Sequence, residues 1–386
     1  MFTGMLISSI GGSMIWPFLM IYASEKLALP LAQVTSLMSI NALAGLISVF
    51  IAGPLIDRLG RKWMMVFSLS MNGLAYYFLS QAGTYPVFAV LMGLSGSVNP
   101  LYRVGSDAML ADLIPKEKRV DAYALIRLSN NIGVALGPAI GGFIATRSYT
   151  IAFYGATMGL VTYSLLLAFL AKETLPSRKN GSPENPSPER FGGYLSIMKD
   201  IPFISFVIAF TLVTFCAVLM WVLLGVYTKQ NFSVPESQYG WIATTNAVMV
   251  VLFQIPVTSV SKRYPNLSVL ITGAIFYTLA VTSVAFGQGF WWFWCSMVVM
   301  TIGEMLLMPT SSTFVANLAP PDKRGRYMSI YSLTWGAAAG TAPLLGGFLN
   351  DTFGPRTIWF GGGVVGMIGI LGFVILSIKQ KAHKEV

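Results

Sequence analysis

Charge is scarce in this chain. Of its 386 residues only 10% are Asp, Glu, Lys or Arg, whereas soluble globular domains carry roughly 25%. Cysteine is nearly absent too: Cys216 and Cys295 each lie in an apolar run, which excludes a secreted disulfide scaffold. The 55% hydrophobic content is too high for a disordered protein. The composition predicts an all-α polytopic membrane protein whose surroundings are the lipid bilayer.

The signatures of several chemistries are also missing. The sequence has no Walker-type phosphate loop, zinc motif or nucleophile elbow, and His383, the only histidine, lies in a polar tail. We therefore expect no enzyme activity, no cofactor and no metal site. The chain has 25 basic and 15 acidic residues, and we attribute the excess of basic residues to orientation in the membrane. We therefore expect no nucleic-acid partner.

Twelve apolar segments follow one another along the chain, each about as long as a transmembrane helix requires. They cover 3–23, 35–56, 63–82, 86–110, 120–145, 149–171, 202–228, 238–259, 267–287, 290–315, 326–349 and 356–378. One long polar stretch divides them six and six. The predicted domains are an N-terminal six-helix bundle (1–172), a cytoplasmic interdomain loop (173–200) and a C-terminal six-helix bundle (201–386).

Basic residues alternate between the two sides of the predicted membrane. One set of connections and the C-terminal tail hold nineteen Lys and Arg residues, and the opposite set holds only Lys26, Arg147, Lys229 and Arg356. The positive-inside rule places the basic set, with both termini, in the cytoplasm.

The two halves are related by an internal repeat. A shift of 205 residues places "ADLIPKEKR" (111–119) on "ANLAPPDKR" (316–324) and "GPAIGGF" (137–143) on "APLLGGF" (342–348). Two units of the same direction predict a parallel repeat about an axis normal to the membrane. Such halves can rock about a central site, which favours alternating access by a transporter over a channel or a membrane enzyme.

The string "GPLIDRLGRK" (53–62) connects predicted helices 2 and 3. It resembles the loop G-x-L-x-D-r-x-G-r-k of the major facilitator superfamily, and the resemblance extends over the whole chain through the twelve spans and the repeat. It implies a small-molecule transporter of a prokaryotic cytoplasmic (inner) membrane, expected to be a monomer. It also implies a conformational latch in which Asp57 stabilises the outward-open state against 325–328. The matching residues are Gly53, Leu55, Asp57, Arg58, Gly60, Arg61 and Lys62. Gly53 is expected to permit a close helix contact and Gly60 a tight turn.

Helix 5 carries "GVALGPAIGG" (133–142), in which Gly133, Gly137, Pro138, Gly141 and Gly142 match a motif of the twelve-helix drug/proton antiporters. The alternative is that the motif serves helix packing alone and is unrelated to the direction of transport. The family's arginine in helix 4 is absent from "FAVLMGLSGS" (88–97), so its role in proton coupling is not carried over.

Four ionisable residues lie well inside predicted spans, where charge is costly. We expect Arg103, Asp107 and Arg127 to form a paired network near the cytoplasmic gate, with Asp57 at its rim; a purely structural cluster is the alternative. Glu304 has no basic residue in its span. Because low-polarity surroundings favour a neutral carboxyl group, Glu304 is the leading candidate for a proton carrier or a cation-attracting substrate site, with Asp107 as its competitor. The alternative is a glutamic acid hydrogen-bonded to a neighbouring helix.

Polar and aromatic residues on the family's cavity helices predict a site for hydrophobic or amphipathic compounds. They are Trp16, Tyr22, Asn41, Tyr102, Asn130, Asn131, Trp221, Asn246, Gln254, Tyr331 and Trp335. The favoured hypothesis is proton-coupled export of such compounds. The alternatives are uptake or facilitated transport of a specific metabolite, and a membrane sensor or lipid-handling protein that does not transport.

Overall fold

The computed structural model describes residues 1–115, 118–175, 197–320 and 323–382. Within these ranges the chain is helical and has no strand. The α-helices are α1 (Phe2–Ile15), α2 (Leu19–Leu27), α3 (Leu31–Leu59), α4 (Arg61–Gln81), α5 (Tyr85–Leu113), α6 (Arg119–Ala145), α7 (Tyr149–Leu170), α8 (Ile201–Phe232), α9 (Glu236–Ser261), α10 (Asn266–Val284), α11 (Phe290–Leu318), α12 (Arg324–Phe353) and α13 (Thr357–Ala382).

The first span is interrupted. A 3-10 turn at Trp16–Phe18 separates α1 from α2, because Pro17 has no backbone N–H for the α-helical ladder. The two helices together form one segment, Phe2–Leu27, that is long and apolar enough to cross a membrane. The bend leaves Trp16 partly exposed at the centre of the molecule.

Nine segments of the described residues meet the length and hydropathy of a membrane span. The other three helices, α4, α5 and α12, have 21, 29 and 30 residues, which is long enough to span. Their polar content is higher; α5, for example, contains Arg103, Asp107 and Asp112. With α1 and α2 counted together, the structure has the twelve spans that the sequence predicts. Most of the predicted interdomain loop, 176–196, lies outside the described residues.

The twelve spans form two six-helix bundles. Between the bundles α3 packs against α12, and α6 packs against α9. Small residues make these contacts possible: a side chain added at Gly347 would meet Ala32, and one added at Gly240 would meet the backbone of Pro138. The interface between the bundles therefore depends on close backbone approach.

The bundles meet at one end and separate towards the other. In α9 the buried residues run from Glu236 to Ala247 and resume only at Ser261. In α3 they run from Leu31 to Leu37 and resume only at Ala52. The packed ends are those joined by the charge-poor connections, and the open ends are those joined by the basic connections. If the basic side is cytoplasmic, the structure is open to the cytoplasm.

Candidate functional site

A cavity of about 360 Å³ lies between the bundles, near the middle of the spans. Both halves contribute to its wall. The lining residues are Ser13, Trp16, Pro17, Asn130, Asn131, Val134 and Pro138 from the first half, and Trp221, Asn246, Ala247, Val250, Glu304 and Trp335 from the second.

Glu304 is the only ionisable residue in this lining. The Asn246 amide donates from Nδ2 to Glu304 Oε2 over 2.7 Å and lies 3.0 Å from Thr301 Oγ1. Thr301 is itself fixed by donating to the carbonyl of Met297, one turn earlier in α11. The carboxyl group is therefore oriented by a neighbouring helix while it faces the cavity. No basic side chain of the lining compensates its charge.

Three tryptophans surround the same space. The rings of Trp16 and Trp221 are 6.1 Å apart between centroids and inclined by 56°. Trp335 lies across from them, and a second cavity of about 200 Å³, which Asn41 also lines, extends between the same three rings. Aromatic faces attract cations and accept flat apolar groups equally well. The cavity can thus hold an amphipathic molecule with its positive group near Glu304.

Four predicted cavity residues lie elsewhere. Tyr22 is buried in the first bundle, where its hydroxyl donates to the carbonyl of Ser80 over 3.0 Å. Tyr102 lines a separate small polar cavity inside that bundle. Gln254 donates to the carbonyl of Met305 over 3.0 Å, and the Tyr331 hydroxyl lies 2.7 Å from Ser311 Oγ, so both side chains pack within the second bundle. For these residues local hydrogen bonds within one bundle outweigh contact with the cavity.

The charges of the first half lie outside the cavity wall. Arg103, Asp107 and Arg127 are exposed. Arg61 makes the ion pairs that the structure describes in this region, with Asp112 at 3.2 Å and with Asp57 at 3.6 Å. Asp57 therefore pairs within its own half in this state, and its side chain is 70% exposed.

Glu173 completes the charge cluster at the end with the basic connections. After the predicted orientation we call Asp57, Arg61, Asp112 and Glu173 the cytoplasmic cluster. The Glu173 carboxylate accepts from the backbone N–H groups of Arg61 and Lys62 at the start of α4. An anion at a helix N-terminus is stabilised by unpaired N–H groups and the helix dipole. No sequence motif predicts this contact, because Glu173 lies at the beginning of the polar interdomain stretch.

The glycines of the motifs have different environments. Gly60 has φ +102°, and an added side chain there would collide with Glu173, so the tight turn requires glycine. Gly53 faces open space in this state: an added Cβ would meet nothing within 4 Å of the described residues. The close helix contact expected at Gly53 is thus absent here, because the bundles are apart at this end.

In α6 the motif glycines make the expected close contacts. Added side chains at Gly133 and Gly137 would collide with Ser9 and Ser13 of α1, and one at Gly141 with the backbone of Met14. An added side chain at Gly142 would collide with the backbone of Glu236 in the other bundle. The motif therefore packs α6 against its own half and against the second half at once.

A buried charge cluster joins the bundles at the packed end. Glu236, 3% exposed, accepts from Lys229 over 2.8 Å and from the hydroxyl of Tyr149 in the first half. Glu25, also of the first half, lies 3.8 Å from Lys229. After the predicted orientation, which places this end outside, we call Glu25, Tyr149, Lys229 and Glu236 the external closure. The sequence did not single out Glu236, because an acidic residue in the first turn of a helix is usually a solvated cap.

Further hydrogen bonds reinforce this end. Asp351 at the end of α12 accepts from the N–H groups of Leu31 and Ala32 over 3.1 and 2.8 Å, and so caps α3 of the other bundle. Gln230 donates to Ser24 Oγ over 2.7 Å. The unpaired N–H groups in the first turn of α3 are thus capped by a side chain of the other bundle.

Comparisons with known proteins agree with this architecture. The family model for the Major Facilitator Superfamily matches residues 1–230 and 206–386. A Na(+), Li(+), K(+)/H(+) antiporter of Planococcus maritimus is 28% identical, with 94% of this chain and 91% of that protein covered. The quinolone resistance protein NorA of Staphylococcus aureus is 22% identical over 97% of this chain and 94% of that protein.

The crystal structure of the nucleoside transporter NupG superposes with a TM-score of 0.80 at 13% identity, covering 97% of each chain. At this identity the likeness concerns the fold alone. The family model, however, spans both halves of the sequence, including the loop at 53–62 and the α6 motif. This chain belongs to the Major Facilitator Superfamily of membrane transporters.

Proposed function

We propose that the protein is a secondary active antiporter that exports small amphipathic compounds, organic cations foremost, in exchange for protons. One observation carries the proposal: a carboxyl group, Glu304, lies uncompensated in the wall of a tryptophan-lined cavity between the two bundles. A group of this kind can bind either a proton or a cation, and cannot hold both at once.

The proposed cycle uses this competition. With the cavity open to the cytoplasm, ionised Glu304 attracts a cationic group while Trp16, Trp221 and Trp335 contact the aromatic or apolar part of the substrate. After the bundles rock, a proton entering from outside binds the carboxylate as the substrate leaves. The neutral site returns, and the proton passes to the cytoplasm. For a monovalent cation, one proton replaces one positive charge, so the charge of the site is conserved.

Two of the relatives are compatible with this proposal in different ways. NorA is named for quinolone resistance, which fits export of amphipathic aromatic compounds. The Planococcus protein is named as an antiporter of Na⁺, Li⁺ and K⁺ against H⁺, which fits cation–proton exchange.

Exchange of inorganic monovalent cations is a second candidate function. The observation that favours it is that Glu304 Oε2 and Thr301 Oγ1 both lie within 3.0 Å of the Asn246 amide nitrogen, so that a carboxylate oxygen and a hydroxyl oxygen are close together. Against it stand the three tryptophan rings, which a small hydrated ion does not need. Transport assays with tetraphenylphosphonium, Na⁺ and K⁺, described below, distinguish the two candidate functions.

We further propose that the protein lies in the cytoplasmic membrane of a bacterium with both termini inside, and that Asp57 acts as the conformational latch. The asymmetry of basic residues supports the orientation. The exposure of the Asp57 side chain supports the latch, because an exposed carboxylate is free to find a new partner when the cytoplasmic ends approach.

The test is reconstitution of the full chain in liposomes with an imposed pH gradient. We expect accumulation of tetraphenylphosphonium, an aromatic cation, to follow the proton gradient, with Na⁺ and K⁺ tested in parallel. Glu304→Gln preserves size and hydrogen bonding but cannot change charge. It is expected to abolish gradient-driven accumulation while exchange of substrate for substrate persists.

Asp107→Asn is the matched variant, since it removes the competing carboxylate. We expect it to retain gradient-driven accumulation. Full accumulation by Glu304→Gln together with none by Asp107→Asn would show that Asp107 in α5, and not Glu304, couples transport to protons. Transport of every substrate without response to pH would show facilitated transport instead of antiport.

A further inference from the structure

The hairpin formed by α9 and α10 has an unusual charge distribution. From 237 to 303 the sequence contains no Asp or Glu, and its only charged residues are the adjacent pair Lys262 and Arg263. The repeat places Lys262 on Asp57 and Arg263 on Arg58. The second half therefore has a cation where the first half has the acidic residue of its loop.

This difference changes how the two loops are neutralised. In the first half Arg61 pairs with Asp57 and Asp112, and Glu173 accepts from the backbone of the same turn. In the part of the chain that the structure describes, Lys262 and Arg263 make no ion pair. Both are exposed at the end of α9.

An apolar groove of about 520 Å³ opens beside this pair. Most of its lining is apolar, namely Pro256, Val257, Val260, Val269 and Leu306, with Val260 54% exposed at the surface and one hydroxyl group from Thr272. Towards the end of α9 the lining changes to the hydroxyl-bearing Ser261, Tyr264 and Ser268. Ser261 and Tyr264, which line the groove, directly precede and follow Lys262 and Arg263 in the chain. The two cations do not line the groove themselves, but they lie next to its polar end.

The groove is thus mainly apolar and has two cations next to its polar end. An acyl chain with a negatively charged headgroup has the same arrangement. Basic residues at the end of a transmembrane helix lie at the membrane surface, where they attract anionic lipids. A soluble anion would leave the apolar part of the groove unfilled.

We propose that the groove between α9 and α10 binds one anionic phospholipid, with an acyl chain along Val257, Val260 and Leu306 and the phosphate between Lys262 and Arg263. The hydroxyl groups of Tyr264 and Ser268 are placed to donate to the headgroup. By the distribution of basic residues, the lipid belongs to the cytoplasmic leaflet.

The test uses the purified full chain and requires no transport assay. Native mass spectrometry in detergent is carried out with phosphatidylglycerol and with phosphatidylcholine of the same acyl chains. We expect one phosphatidylglycerol to be retained in preference to phosphatidylcholine. A photoreactive phosphatidylglycerol with the reactive group in its acyl chain should label peptides within 256–272.

Two variants and a charge-matched control distinguish the contribution of the two cations from that of the apolar groove. Lys262→Gln/Arg263→Gln should weaken phosphatidylglycerol binding about thirtyfold, since each cation at the membrane surface contributes about fivefold. Lys172→Gln/Lys379→Gln removes the same charge from two exposed cytoplasmic-side lysines outside the groove and should change binding less than about twofold. Thr272→Trp fills the groove without changing charge and should abolish labelling of 256–272.

Several results would overturn the proposal. Equal loss of binding in both double variants would show a general charge effect, and equal retention of the two lipids would show ordinary solvation by lipid. Displacement by inorganic phosphate alone would assign the pair to a soluble anion. A dimer lost in Lys262→Gln/Arg263→Gln would assign the groove to a second copy of the chain. Thermal unfolding of each variant at the parental temperature excludes misfolding as the cause.

Discussion

The two ends of the bundle pair are held by different kinds of polar contact. In the external closure Glu236 is buried and its partners come from both halves. In the cytoplasmic cluster Asp57 is largely exposed and its partner, Arg61, belongs to the same half. A buried carboxylate left without partners is costly, whereas an exposed pair contributes little. The external contacts therefore stabilise the state seen here, and the cytoplasmic contacts leave the first half ready to move.

The comparison predicts that substitutions at the external end shift the balance of states, while substitutions at the cytoplasmic end slow the passage between them. Spin labels at Gly83→Cys and Gly289→Cys would report the external separation, in a background lacking Cys216 and Cys295. Both positions lie in external connections, and a side chain there meets nothing within 4 Å among the described residues. The distance distribution then gives the populations of the two states.

Gly142→Ala is expected to have the largest effect. Its methyl group would collide with the backbone of Glu236, which no side-chain rotation can relieve. Overpacking costs about 1–3 kcal/mol, so the externally open population should rise roughly five- to 150-fold. Gly12→Ala, whose added Cβ meets nothing within 4 Å, should leave the distances unchanged. An unchanged distribution in Gly142→Ala would show that the external contact is loose.

Asp57→Asn should slow transport strongly while substrate binding survives. Its carboxylate is expected to stabilise the outward-open state at the N-terminal end of α12, around 325–328. An anion at a partly buried helix end is worth up to about 2 kcal/mol, or about thirtyfold in rate. Initial transport rates and quenching of cavity tryptophans measure the two quantities. Asp112→Asn is the control, because Asp112 pairs with Arg61 and Thr174 within the first half. The latch is wrong if Asp57→Asn transports at the parental rate.

Tyr149→Phe removes the hydroxyl that joins the first half to Glu236. Lys229 remains as a partner at 2.8 Å, so only the hydrogen bond between halves is lost. A hydrogen bond to a charged group contributes about 1.5–3 kcal/mol, and we expect the externally open population to rise at least about tenfold. Tyr154→Phe, on the same helix but bonded to Gln81 within the first half, should have no such effect. Equal shifts in the two variants would contradict a specific role for the external closure.

Asp351→Asn should have the smallest effect. The amide oxygen can still accept from one of the two N–H groups of α3. The second hydrogen bond and the charge that favours a helix N-terminus are lost, which is worth about 0.5–1 kcal/mol. The same distance measurement should show a shift of about two- to fivefold. A shift as large as that of Gly142→Ala would mean that the cap, and not the helix packing, determines external closure.

The sequence predicted the parts of this architecture that depend on local pattern. Long apolar segments, the repeat at 205 residues and the helix motifs are properties of consecutive residues, and they defined the twelve spans and the packing face of α6. The burial of Glu236 and the cap by Glu173 depend on helices far apart in the chain. Nothing in "SVPES" or "AKETL" distinguishes these acids from solvated ones.

The cavity was predictable to the extent that its residues face the axis of the molecule. Glu304 was found because a charge in an apolar run is conspicuous, and Trp16, Trp221 and Trp335 because they lie on the central helices. Tyr22, Gln254 and Tyr331 lie on those helices too, but the direction of each side chain is set by hydrogen bonds within its own bundle. Where two faces of a helix both carry polar residues, the helical period alone does not show which face points into the cavity.

The most direct test of the central claim, that Glu304 exchanges a proton for a cationic substrate, is proton release on binding. Tetraphenylphosphonium is added to the purified protein in weakly buffered detergent solution, and the change in pH is recorded across a range of starting pH. Competition for one carboxyl group predicts release of up to one proton per bound cation in the parent and in Asp107→Asn, largest at starting pH values at which Glu304 is protonated, and none in Glu304→Gln. The same release from Glu304→Gln as from the parent would contradict the account.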